Sequence, residues 1–145
     1  KVEKFLEVER KYMKIIAYTD GASRGNPGLA GIGIAFYNEQ GEQIKTFSEY
    51  IGEATNNIAE YKALIKALEI GKELGAREME VYADSELIVK QIKGEYKVKN
   101  EGLKPLYNAA KGLINALDSF QITHIKRELN KEADKLANIA IDSRS

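Results

Sequence analysis

With 145 residues, 22 Lys+Arg against 22 Asp+Glu and no cysteine, the chain fits one domain of zero formal net charge. A domain of that size hides roughly 68–70% of the surface its unfolded chain exposes, so a hydrophobic core forms without staples. Disulfides and thiolate metal sites are excluded, a strongly basic nucleic-acid binder is disfavoured, and the lack of a spanning apolar run or signal-peptide pattern fits a soluble cytoplasmic protein.

Residues 1–11, KVEKFLEVERK, are highly charged and are expected to form an extension or linker ahead of a domain over 12–145. The chain begins at Lys1, so its natural start is expected to lie upstream. YMKIIAYT (12–19) reads as a first strand, and DGASRGNPG after it as turn chemistry. Residues 30–38 and Gln43–Ile51 are a second and third strand joined by the short loop Glu39-Gln40-Gly41, which implies an antiparallel meander. The period then changes. Tyr61, Leu64, Ile65 and Leu68 recur at helical spacing within Asn57–Leu74, and Gly75 ends that helix. EMEVYA (78–83) is a fourth strand, Ser85–Ile92 a short helix, Gly102–Ser119 a helix, Phe120–Lys126 a fifth strand and Lys131–Ile141 a final helix. Helical connections between successive strands make them parallel, so the expected fold is α/β, a five-stranded mixed sheet with helices on its faces.

Four acidic residues sit at or near junctions of these elements: Asp20, Glu60, Asp84 and Asp134. Each has a local explanation. Asp20-Gly21 is a turn pair. Glu60 stands three residues after Asn57, as in a capping box. Asp84 lies where an N-cap belongs. Asp134 falls in the first turn of a helix capped by Asn130, where the macrodipole favours a carboxylate. Taken jointly, four crowded carboxylates repel one another and raise their own pKa values unless a cation neutralises them. With His124 the only histidine, zinc is not expected, and any metal is held by oxygen, which favours Mg²⁺, Mn²⁺ or Ca²⁺. Two Mg²⁺ about 3.5–4 Å apart activate a water and stabilise the leaving oxygen of a phosphoryl displacement. Ligands of open α/β sheets gather beyond the carboxyl ends of parallel strands, where Asp20 and Asp84 are expected.

YTDGASRGNPG (18–28), TNNIAEY (55–61), YADSELIV (82–89) and RELNKEADKLAN (127–138) resemble the four motifs of type 1 ribonuclease H, in the family's order and over nearly all of residues 12–142. The resemblance implies the ribonuclease H-like fold, with strand order 3-2-1-4-5. It implies a metal-dependent endonuclease, using two Mg²⁺ with Mn²⁺ as a substitute, that cuts the RNA strand of an RNA–DNA hybrid and leaves 3′-hydroxyl and 5′-phosphate ends. Asp20, Glu60, Asp84 and Asp134 fall on the family's metal-binding carboxylates. Gly21 and Ser23 fall along the RNA backbone, Asn26 and Thr55 on groups that hold a DNA-strand phosphate, and Asn56 and Asn57 on groups that reach the minor groove. Hybrid and RNA duplexes expose 2′-hydroxyls in a wide, shallow minor groove, which neutral hydrogen-bonding groups read without reading sequence. Helix capping is the alternative explanation of the Asn pair. A monomer is the default assembly.

Several positions depart from the family pattern. The loop before the last helix carries LysArgGluLeuAsn (126–130) where many members have a histidine, which leaves Arg127 or Glu128 to assist in its place. His124 is expected as a half-buried residue of the fifth strand. Beside Asp84 and Ser85, a position often filled by glutamine is Glu86, whose charge puts that minor-groove contact in question. The basic protrusion is shortened to Lys90, Lys93, Lys97, Lys99 and Lys104 around Tyr96, which also reads as a solvated face; weaker hybrid binding with a shallow salt dependence follows. The pattern looks most like archaeal enzymes and the shorter bacterial or plant-type branch. Two alternatives stay open: a non-catalytic hybrid-binding module, and a 3′–5′ exonuclease of the same superfold. The exonuclease normally needs D-x-E where this chain has Asp20-Gly21-Ala22. A DDE transposase or integrase core normally lacks the TNNIAEY helix start.

Overall fold

Alternating apolar residues start β1 at Lys14, but the strand runs on through DGASRG to Gly25 in the computed structural model, which describes residues 12–144. The expected extension over residues 1–11 lies outside the described residues. The turn composition of DGASRG yields to pairing: from Ile16↔Tyr37 to Gly25↔Gly28 the segment lies antiparallel to β2 (Gly28–Tyr37), and the ladder takes up its backbone polar groups. Only Asn26 and Pro27, joined by a cis peptide bond, make the turn. The third strand, β3 (Gln43–Ala54), is longer than expected for the same reason, since its pairing with β2 extends to Gly28↔Ala54.

Helix α1 (Asn56–Glu73) and strand β4 (Glu78–Ala83) fall close to where the periodicity puts them. Helix α2 covers Glu86–Ile92. Helix α3 is shorter than expected, Lys104–Asn115, because Pro105 sets its first turn and strand β5 (Ser119–His124) claims Ser119 through pairing with Glu78. A 3-10 turn at Arg127–Leu129 leads into α4 (Lys131–Asp142). The sheet order is β3-β2-β1-β4-β5, with β1, β4 and β5 parallel, as expected.

One sheet face carries Ile15, Ala17, Ile34, Phe36, Val81 and Ile122, packed with Tyr61, Leu64 and Leu68 of α1. Each large apolar side chain buried here contributes about 1.5–3 kcal/mol. Helix α4 covers the other face over β2. It lies so close that a Cβ on Gly33 would stand 2.3 Å from the Ala133 carbonyl oxygen, and one on Gly31 2.5 Å from that of Ala137. The small residues Ala133, Ala137 and Ala140 complete this contact, and Asp134, next to Ala133, is half-buried. Among the described residues no helix is long and apolar enough to cross a membrane.

Candidate active site

The parallel pairing of β1 with β4 stops at Thr19↔Ala83. The next residue on each strand is an aspartate, Asp20 and Asp84. Beyond this point β1 stays with β2, Asp20 opposing Gly33, while β4 leaves the sheet. The two carboxylates therefore stand side by side where the sheet parts.

Glu60 joins them from α1. Its capping-box explanation fails, because the helix is capped two residues before Asn57 by Thr55, whose Oγ1 accepts from the Ile58 N–H at 3.2 Å. Glu60 Oε1 instead accepts from the Gly21 N–H at 3.0 Å. Only glycine permits that approach: a Cβ on Gly21 would lie 2.2 Å from the carbonyl carbon of Ala59 and 2.4 Å from the Glu60 nitrogen. Asp84 is likewise not a cap, since Ser85 Oγ accepts from the Ile88 N–H at 3.3 Å. Asp20, Glu60 and Asp84 thus offer three oxygens that all lie within 4.8 Å of one another. Asp134 stands outside that group of three, yet it is near enough to push the Asp20 carboxyl up. Its Oδ1 accepts from Asn138 Nδ2 at 3.3 Å and lies 3.6 Å from the Arg127 guanidinium.

The crowding has an electrostatic signature. Burial first, then the charge of Asp84 and the neighbouring Asp134, push the Asp20 carboxyl up to about 8; Arg127 opposes the shift. Burial and the charges of Asp20 and Asp84 hold Glu60 well above the usual carboxylate range, against the pull of the Gly21 N–H and Arg127. Asp20 and Glu60 therefore hold protons that ordinary carboxylates give up.

Asn130 occupies the N-cap position of α4, but its side chain makes no cap bond and is spent elsewhere. Nδ2 donates to the Thr19 carbonyl at 2.9 Å and to Asp84 Oδ2 at 3.1 Å. His124, expected half-buried, is exposed, because it is the last residue of an edge strand.

The flanking polar residues gather between the end of β1 and the start of α1. Asn56 accepts from the Ser23 N–H at 2.9 Å, and its own N–H donates to Asn26 Oδ1 at 3.1 Å. Ser23 Oγ donates to the Ala54 carbonyl at 2.7 Å and also lies against the Gly25 carbonyl. Asn57 is half-buried beside them. Across the cluster, Glu86 is exposed and pairs with Lys90 at 3.3 Å. Lys90 also lies 5.0 Å over the Tyr96 ring, and Lys93, Lys97, Lys99 and Lys104 are exposed. No local sequence signal points to the contact between Asn130 and Asp84, because the two lie 46 positions apart. Asn138 has a local signal, its place one turn after Asp134.

A family model described as Reverse transcriptase-like matches residues 18–140. The chain is 41% identical to Ribonuclease HI of Halobacterium salinarum, over 89% of this chain and 65% of that protein. It is also 41% identical to the Bifunctional protein Rv2228c of Mycobacterium tuberculosis, over 90% of this chain and 36% of the other. The chain thus spans about two thirds of the one curated relative and about a third of the other. Among solved structures, RNase H1 from Halobacterium salinarum superimposes with a TM-score of 0.87 at 41% identity, covering 89% of this chain and 98% of the other. LC11-RNase H1, isolated from compost and solved in complex with an RNA/DNA hybrid, gives a TM-score of 0.84 at 47% identity, covering 88% and 96%. With the strand order, the carboxylate cluster and this likeness in agreement, the chain belongs to the type 1 ribonuclease H family.

Proposed function

We propose that this chain hydrolyses the RNA strand of RNA–DNA hybrids endonucleolytically, leaving 5′-phosphate and 3′-hydroxyl ends, with divalent cations held by Asp20, Glu60, Asp84 and Asp134. The observation that carries this reading is the meeting of three carboxylate oxygens within 4.8 Å of one another. The donor set fits hard cations: every donor is oxygen, Asp20 is 5% exposed, and the mutual repulsion is only partly relieved by Arg127. Mg²⁺ satisfies such a site with few carboxylates, waters and substrate phosphate, and Mn²⁺ is a substitute. Two bound ions supply Lewis-acid chemistry at a phosphodiester, activating water and stabilising charge on the leaving oxygen.

The chain's own residues do the positioning. Asp20 and Asp84 are the central ligands, Glu60 is oriented by the Gly21 N–H, and Asp134 is steadied by Asn138 and Arg127. Gly21 and Ser23 lie along the RNA strand, Asn26 and Thr55 take a phosphate of the DNA strand, and Asn56, Asn57 and Ser85 face the minor groove. Glu86, neutralised by Lys90, is tolerated beside them. The exposed lysines from Lys93 to Lys104 add phosphate contacts that weaken with salt. The working unit is a cytoplasmic monomer.

The test is incubation with Mg²⁺ of a hybrid labelled on its RNA strand, beside matched RNA duplex and single-stranded RNA. Internal cuts in the hybrid RNA with intact DNA are expected. Stepwise shortening from one end, or retention of the hybrid without cutting, would overturn the proposal.

A further inference from the structure

Asn130 is 1% exposed and sits where an asparagine ordinarily accepts from the first N–H groups of its own helix. Here that use is forgone. Both Nδ2 protons are donated outward, one to the Thr19 carbonyl and one to Asp84 Oδ2. The reverse amide orientation would set its oxygen against two acceptors, so the network fixes the assignment. Asn130 Oδ1 is left buried without a partner, a loss the fold accepts while keeping both donors in place.

The partners explain the arrangement. Thr19 is the last residue of β1 paired to β4, and Asp20 follows it. Asp84 is the first residue past β4. The Asn130 carbonyl accepts from the Asp134 N–H at 3.1 Å in the first turn of α4. One buried residue therefore ties together the backbones that carry Asp20 and Asp134 and holds the carboxylate of Asp84 directly. A carboxylate with one oxygen held by a donor cannot rotate freely, and its other oxygen stays available to a cation.

We propose that Asn130 is a positioning residue that orients the Asp84 carboxylate for cation binding through its Nδ2 donors. This rests on the metal-dependent reading above. Removing a partner that orients a ligating side chain weakens metal affinity by about 10–100-fold. The test measures Mn²⁺ affinity by electron paramagnetic resonance for the parent and Asn130→Ala, together with hybrid kcat, KM and thermal unfolding. The expected result is Mn²⁺ binding weaker by ~10-fold or more, a lower kcat and an unchanged KM for hybrid in a variant that still unfolds cooperatively. Parent-like Mn²⁺ affinity in the folded variant overturns the proposal.

A measurement on the parent guards against a variant that does not fold. In the nitrogen-15 spectrum the Asn130 side-chain amide should shift as Mg²⁺ is added, and shift again in Asp84→Asn without metal. An Asn130 amide indifferent to both overturns the proposal. A parent that binds Mn²⁺ and shows these shifts yet cuts no hybrid refutes the substrate reading and leaves the positioning role standing.

Discussion

The Gly21 N–H donates to Glu60 Oε1 at 3.0 Å, so the residue beside Asp20 on β1 orients a carboxylate delivered by α1. The bond exists because the Gly21 side of the strand rests on the backbone of Ala59 and Glu60. Gly21→Ala must push the helix away. Overpacking of this kind costs about 1–3 kcal/mol, and denaturant unfolding should read a loss in that range. Cleavage should fall as well, since Glu60 loses its donor. A variant with parent stability would mean the helix yields without strain.

Asp20→Asn should abolish cleavage yet make the metal-free protein more stable. It replaces a buried acid, which must take up a proton near neutral pH to lie beside Asp84 and Asp134, with a neutral amide. Unfolding in EDTA near pH 7 should show a gain of ~1–3 kcal/mol. Activity within a few-fold of the parent would refute the assignment of Asp20.

The same cluster sets a pH dependence. The unfolded Asp20 carboxyl titrates near 3.8, and in the metal-free fold it is pushed up to about 8. Between these values the folded protein binds the extra proton, so the stability this group confers is complete below about 3.8 and lost as pH rises through about 8. Glu60, raised as well, acts with the same sign. Thermal unfolding in EDTA should therefore show a Tm falling across this window, and saturating Mg²⁺ should flatten the fall by taking the proton's place. A metal-free Tm that rises steadily with pH contradicts the electrostatic account.

Arg127 lies 3.6 Å from Asp134 and lowers the carboxyls of both Asp20 and Glu60. Its side chain is 78% exposed, so Arg127→Ala should change stability by no more than ~0.5 kcal/mol. The cluster should then hold its protons more tightly, and the acidic limb of the cleavage–pH profile should move to higher pH. Arg127→Lys should move it less. A profile that stays in place in both variants would remove Arg127 from the electrostatics of the site.

Much of the fold and of the site is legible in the amino-acid sequence alone. The apolar spacing of Tyr61, Leu64 and Leu68 locates α1, and the alternation in EMEVYA locates β4, because both elements bury a periodic face. The convergence of Asp20 and Asp84 follows from two parallel strands ending together. DGASRG misleads because glycine and polar propensities signal a turn, whereas its fate is decided by β2, a partner whose pairing no local window contains. The same limit hides Asn130: residue type and position announce a helix cap, and a carboxylate 46 residues away claims the side chain. Glu60 reads as half of a capping box only while Asn57 is taken as the cap; the true cap at Thr55 is a small shift along the chain that composition alone does not decide.

The central claim is that Asp20, Glu60 and Asp84 form one cation site. Anomalous diffraction from crystals soaked in MnCl₂ tests it most directly. A manganese peak among these three carboxylates is expected in the parent, and its loss in Asp84→Asn. Manganese bound elsewhere, or its absence from this cluster in a protein whose hybrid cleavage still requires Mn²⁺, would contradict it.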